Sequence, residues 1–396
     1  MKSLRRGFVT AERVTALAAV ALLATSCATL RLGDQSVASP RQAELALRWH
    51  RPLSEPSQLD WASQLRGGVA MHARLGLLLV GGVDRRIRAL RASDGALVWQ
   101  FDALGRVDST PTIVNDLAYF GAGDGAIYAI DVATGTLRWR TVVGAEVVHS
   151  PSVSGNSVTV VTGADAVVSL DLTTGERRWT YRRPPPGGIS ATGHAGLRIV
   201  DTRLYTGFAD GAVVCLDVTD GSVLWEVDTA AELDAAEDAN EGHQAIDVDT
   251  TPVVINDTVF VASQAVGVLA LDTLSGSRRW GVASLTRVTA LCADDRALFV
   301  HSSERGLMRI DPFDGHVLWS RDTGARAVLQ IQSLGNHRLL LGSMDQGLTV
   351  VSNEGGEVLD ALRTGRGVAA PVLSTATRIY VHSNGDVLYA LDRTQL

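Results

Sequence analysis

Six tryptophans of this chain stand in one register. Aligned on Gly-x-x-x-Trp, they read Gly95/Trp99, Gly135/Trp139, Gly175/Trp179, Gly221/Trp225, Gly276/Trp280 and Gly315/Trp319, with successive tryptophan spacings of 40, 40, 46, 55 and 39 residues. A period near forty means that each copy is one small unit able to bury its apolar face only against its neighbours, so the fold must be a repeat architecture. An alternating strand with an Asp-x-x-x-Gly end precedes the motif, as in Ile127-Tyr-Ala-Ile-Asp131, Val213-Val-Cys-Leu-Asp217 and Val268-Leu-Ala-Leu-Asp272. Degenerate copies at Ile87–Arg91 and Leu348–Ser352 and a last copy at Val387–Asp392 bring the rows to eight. Each row adds a run after a Thr/Ser/Ala-Pro step, at Pro111, Pro151, Pro252 or Pro371, and a run such as Leu117-Ala-Tyr-Phe. Four short strands per row predict an all-β, eight-bladed β-propeller.

The two ends complete one another. The last row stops at Asp392 without a tryptophan strand, while Ala46-Leu-Arg-Trp49 is a tryptophan strand with no row before it. An N-terminal strand completing the last blade would close the ring and remove the open sheet edges of a half-blade. Trp49 thus joins Trp99, Trp139, Trp179, Trp225, Trp280 and Trp319 as a blade-docking residue, each expected to wedge between neighbouring blades with the preceding glycine in a tight turn. Row seven has Asp360 at the tryptophan position and breaks the pattern.

Where the period lengthens, function is expected. The extra residues before blades four and five follow tryptophan strands, and in a propeller such connections emerge on one face. The longer insertion, residues 226–249, carries nine carboxylates (Glu226, Asp228, Glu232, Asp234, Glu237, Asp238, Glu241, Asp247, Asp249) and no Lys or Arg. It reads either as an acidic docking surface for a basic partner or as a loop kept soluble by its charge. The shorter one, Tyr181-Arg182-Arg183-Pro-Pro-Pro186-Gly-Gly-Ile189-Ser-Ala-Thr-Gly-His194, is basic and then rich in Pro and Gly, and its arginines would partly neutralise the acidic neighbour.

The N-terminus has the pattern of an address. Lys2, Arg5, Arg6 and Arg13 precede an eleven-residue apolar run, Val14 to Ala24, and then Thr25-Ser26-Cys27. This resembles a bacterial lipoprotein signal: residues 1–26 removed, Cys27 lipidated, 27–45 a flexible tether and 46–396 the propeller. Ala28 in place of Asp points to the outer membrane. Without residues 1–26 the net charge falls from −7 to 32 − 42 = −10. One Lys among 35 Arg in a net acidic chain provides no broad cationic field, which argues against nucleic-acid binding.

The search for catalytic apparatus finds little. The nine histidines show no metal-ligand spacing, and neither a Gly-x-Ser-x-Gly elbow nor a phosphate-binding glycine loop occurs. Cys215 and Cys292 sit singly in apolar runs, the usual setting of a buried free thiol.

The Ala-x-Asp-x-x-Thr-Gly-x-x-x-Trp rows resemble quinoprotein-like eight-bladed propellers, a group of PQQ-dependent dehydrogenases and non-enzymatic relatives. The dehydrogenase branch carries an adjacent Cys pair, which this chain lacks. Asp247-Val-Asp249-Thr-Thr-Pro252-Val-Val-Ile-Asn256, with the lipobox and the closing strand, is more similar to the BamB family of outer-membrane β-barrel assembly lipoproteins. That resemblance implies a non-enzymatic scaffold without cofactor or metal, anchored by lipid on the periplasmic side of the outer membrane, a monomer within a hetero-complex. It implies a BamA-like partner whose POTRA domains bind an Asp-x-Asp pair, here Asp247 and Asp249 on a loop of the rim. A second contact, Leu-x-Leu-Arg in the family, falls on Ile189, Ala191 and Thr192, where the first apolar residue is kept, the second shortened and the Arg lost. The competing functions are a propeller lipoprotein binding a small ligand or polysaccharide, and a divergent quinoprotein oxidoreductase.

Overall fold

The middle strands of each row are continuously apolar because they are covered on both sides. Leu77–Gly81 (β3) is buried at every residue, and Ala126–Asp131 (β8) at all but its final Asp. The fourth strand of a row has a face in water and alternates, as in Arg177–Arg182 (β13). The computed structural model describes residues 44–54, 65–183, 195–229, 247–263, 266–325 and 327–393. These form thirty-two strands, numbered in chain order, in eight four-stranded antiparallel sheets.

Seven sheets are sequential. The first runs β2 (Val69–His72), β3, β4 (Arg86–Arg91), β5 (Leu97–Asp102) from the innermost strand outward. The eighth has the order β1-β32-β31-β30, so that β1 (Leu45–Pro52) pairs with β32 (Val387–Arg393) as its outer strand. Eight apolar clusters fill the eight spaces between consecutive blades. One joins Leu79 and Ile87 of the first blade to Phe120 and Tyr128 of the second, and another joins Tyr380 and Leu388 of the eighth to Val69 and Leu78 of the first. The ring is therefore closed, with its first and last blades sharing a core like any other pair.

The tryptophans explain the glycines, though across a blade boundary rather than within a row. Trp99 lies on Gly135 of the next blade, where an added Cβ would come within 2.6 Å of the indole, and Gly135 has φ +73°. A side chain there would meet both the ring and an unfavourable backbone region. The other pairs are Trp49 on Gly95, Trp139 on Gly175, Trp179 on Gly221, Trp225 on Gly276, Trp280 on Gly315 and Trp319 on Gly356. Six indoles also donate Nε1–H to the carbonyl three residues before that glycine, from Trp99 to Val132 at 2.9 Å through to Trp49 to Ala92 at 3.4 Å. In the seventh, Asn353 O is taken by Arg309, and Trp319 Nε1 has no acceptor.

Asp360 keeps the tryptophan register, opposite Val350 as Trp99 is opposite Ala89. Its carboxylate accepts the N–H of Leu45 at 2.9 Å and so ties blade seven to the closing strand. The departure from the repeat coincides with the one blade boundary whose receiving turn was replaced by the entering chain.

Candidate partner-binding rim

Each outer strand leads to the next inner strand over one face of the ring, and a valine fixes the path. Val107, Val147 and Val248 lie four residues before Pro111, Pro151 and Pro252, and each packs where a Cβ on Gly81, Gly121 or Gly207 would clash with it. Each donates its N–H to the same blade position, at Gly82 O (3.2 Å), Ala122 O (3.3 Å) and Phe208 O (3.2 Å). The Asp247–Pro252 segment is thus the blade-five copy of a repeat element whose blade-two copy is Arg106-Val-Asp108-Ser-Thr-Pro111. The shared backbone is structural; only the side chains distinguish this copy.

The hydroxyls following that valine knit the rim. Thr250 Oγ1 accepts Ala262 N–H at 3.2 Å within blade five, while Thr251 Oγ1 accepts Gly196 N–H of blade four at 3.1 Å. Thr110 does the same for Gly68, at 2.7 Å. The two acidic residues separate. Asp249 is half-buried and lines a central cavity of about 650 Å³, together with Arg66, His149 and Thr289. Asp247 is only 1% exposed, whereas Arg106 and Glu146, which stand before the valine in the two preceding copies, are exposed; the expectation of two carboxylates on a rim loop thus meets one buried and one half-buried carboxylate.

The two insertions meet at their bases. Arg183, in the basic start of the shorter one and its last residue described before 195, reaches Asp210 at 2.6 Å and Glu226 at 2.8 Å, where the acidic segment begins. Its guanidinium stands 5.7 Å over the Phe208 ring. Burial opposes this charge, but the bonds to Glu226 and Asp210 outweigh it and hold the Arg183 pKa above its ordinary value. Arg183 therefore does neutralise carboxylate at the foot of the acidic insertion. Glu226 and Asp228 lie in the strand Val223–Asp228 (β17) rather than in the loop. Residues Cys27, Ile189, Ala191 and Thr192 and most of the acidic loop, 230–246, lie outside the described residues.

Sequence reasoning missed the cavity residues Arg66, His149 and Thr289. Their signal was position, since all fall in the connections leading into, or at the start of, innermost strands. Among the described residues no group of three His, Cys, Asp or Glu side chains is suited to a metal ion. Cys215 is buried, and that burial pushes its thiol up to about 11.

The profile of the family described as outer membrane protein assembly factor BamB matches residues 34–142 and 119–321. This chain belongs to that family. BamB of Legionella pneumophila is 23% identical over 193 residues, covering 49% of each chain. BamB of Pseudomonas aeruginosa is 24% identical over 193 residues, 48% of this chain and 50% of that one. The chain thus spans about half the length of the curated relatives it matches. Among solved structures, BamB from Moraxella catarrhalis superposes with a TM-score of 0.71 at 19% identity, over 88% of this chain and 99% of that one. A quinohemoprotein alcohol dehydrogenase from Comamonas testosteroni shares the fold, with a TM-score of 0.65 at 14% identity over 90% and 77% of the two chains.

Proposed function

We propose that this BamB-family propeller is a non-enzymatic scaffold of outer-membrane β-barrel assembly, tethered through a lipidated Cys27 after removal of residues 1–26. It docks a BamA-like partner with the rim that carries Asp249. The observation supporting the docking face most strongly is that both irregular connections leave the same rim, joined at their bases by the Arg183–Glu226 ion pair, beside the half-buried Asp249. A rigid ring acts there by positioning, contributing charge and backbone contacts. Ile189, Ala191 and Thr192 complete that contact from the neighbouring connection.

The test is affinity capture of the tagged, membrane-extracted protein from detergent-solubilised envelopes, with Asp249→Arg as control. A BamA-like barrel protein retained by the wild type and lost by the folded variant supports partner and site together. Unchanged capture by Asp249→Arg rejects the site, and failure to capture such a protein at low salt rejects the partner.

The central cavity favours one alternative, a polar small-molecule or saccharide ligand held between Arg66, His149 and Asp249. A saturable thermal shift with a cell-wall saccharide, lost in Arg66→Ala, would support it. Dye-linked dehydrogenase activity after reconstitution with PQQ and calcium would overturn the non-enzymatic assignment.

A further inference from the structure

The face of the ring opposite the rim carries the turns between third and outer strands, and two adjacent blades place a large apolar side chain where the others have a small or polar one. The residue two positions after the turn-opening Asp or its equivalent is Ser93, Ala133, Thr173 and Thr219 in the first four blades and Glu354 in the seventh. In blades five and six it is Leu274, 67% exposed, and Phe313, 92% exposed. Their N–H groups are bonded to Asp272 Oδ1 at 3.0 Å and Asp311 Oδ1 at 2.8 Å, so the turn backbone is fixed while both side chains project into solvent. Beside Leu274, Arg279 is bonded to both Asp257 and Asp272, which offsets one of the two carboxylate charges there.

The second observation is where the chain enters the ring. Trp49 pairs with Ala390 as Trp99 pairs with Ala89, so Leu45 stands where Gly95 stands in the first blade, in the turn face. That entry is pinned: Glu44 is bonded to Arg338 Nε at 2.9 Å, and Leu45 N–H to Asp360. Seventeen residue steps separate Glu44 from Cys27, a reach of at most about 60 Å. The chain toward Cys27 thus leaves the described ring on the face that carries Leu274 and Phe313, opposite the Asp249 rim.

We infer that Leu274 and Phe313 form a membrane-contact patch that seats the turn face of the propeller on the lipid bilayer and so orients the opposite rim toward its partner. The inference rests on the lipid anchor proposed above. Its occupant is a membrane surface rather than a protein because the chain toward Cys27 leaves the ring on the face that carries the pair, and an exposed aromatic–aliphatic pair on a fixed turn backbone suits the interfacial zone of a bilayer. Apolar insertion rather than charge attraction makes the contact insensitive to salt.

The experiment uses the full lipidated protein reconstituted into vesicles of phosphatidylethanolamine and phosphatidylglycerol, with Ser275→Cys carrying an environment-sensitive fluorophore and Ser150→Cys on the opposite rim as reference. Brominated acyl chains are expected to quench the probe at 275 and not at 150, with the quenching unchanged in 0.5 M salt. Leu274→Ser together with Phe313→Ser is expected to reduce it about tenfold, with Tm unaltered because neither side chain is packed. Vesicle-bound protein whose 275 probe is unquenched, or is quenched equally in the double variant, overturns the patch while leaving the anchor standing. Absence of fatty acid on Cys27, shown by palmitate labelling against Cys27→Ala, overturns both.

Discussion

The two faces of this propeller are made from the same row and keep different amounts of it. On the turn face, seven receiving glycines take a tryptophan from the preceding blade, and six of these indoles make the same hydrogen bond. On the connection face, the valine and its glycine recur, but the flanking side chains diverge. Blade two has Arg106 paired with Asp108 at 3.1 Å, where blade five has Asp247 and Asp249. The regular face is constrained by packing between blades, in which every copy must solve the same problem. The irregular face repeats its valines and the hydroxyls that follow them, while the acidic or basic residues on either side of the valine differ from blade to blade.

The largest effects should come from the regular face. Trp225, 7% exposed, fills a blade boundary, and Trp225→Ala is expected to lower unfolding free energy by about 3–5 kcal/mol in urea titration. Gly135→Ala should approach that loss, because the methyl meets the Trp99 ring at a backbone angle suited to glycine. A midpoint unmoved by Gly135→Ala would mean that the Trp99 indole does not sit against this turn.

The irregular face divides more finely. Asp247→Arg forces a long cation into a buried position and is expected to cost about 3 kcal/mol, whereas Asp249→Arg should stay within about 0.5 kcal/mol of wild type. Equal stabilities for the two would remove the distinction between a buried and a half-buried carboxylate. Only Asp249→Arg then serves as a clean control for partner capture.

Smaller differences sharpen the comparison among the tryptophans. Trp280 donates to Pro312 O at 3.0 Å and Trp319 Nε1 has no acceptor, so Trp280→Phe should cost about 1 kcal/mol more than Trp319→Phe. A pH titration gives the smallest effect. His301 is fully buried between Thr289 Oγ1 at 2.8 Å and Ala325 O at 3.3 Å, and burial holds its pKa below the ordinary 6.5. The folded state therefore favours the neutral ring: its stabilisation is complete above pH 6.5 and lost as the pH falls through the lower folded value. His301→Gln should flatten the stability profile below pH 6.5, and an unchanged slope would assign it to other groups.

Much of the ring was legible because its determinants are local and repeated. Period, alternation and turn chemistry are written in each row, and the unpaired tryptophan strand at Trp49 announces closure. The site was less legible. Asp247 and Asp249 look equivalent in sequence, yet the first is buried and the second is half-buried at the cavity. Arg66 and His149 carry no motif of their own and become neighbours of Asp249 only because the ring brings blades one, three and five to one axis.

The sequence by itself determined the all-β eight-bladed ring, its closing strand and the two connections that exceed the period, because each is a matter of spacing along the chain. The tertiary structure decided which glycine receives which tryptophan, which acidic residue of the pair is buried, and that the entering strand shares a face with Leu274 and Phe313. Those relations join residues of different blades, and only closure of the ring fixes the distances between them.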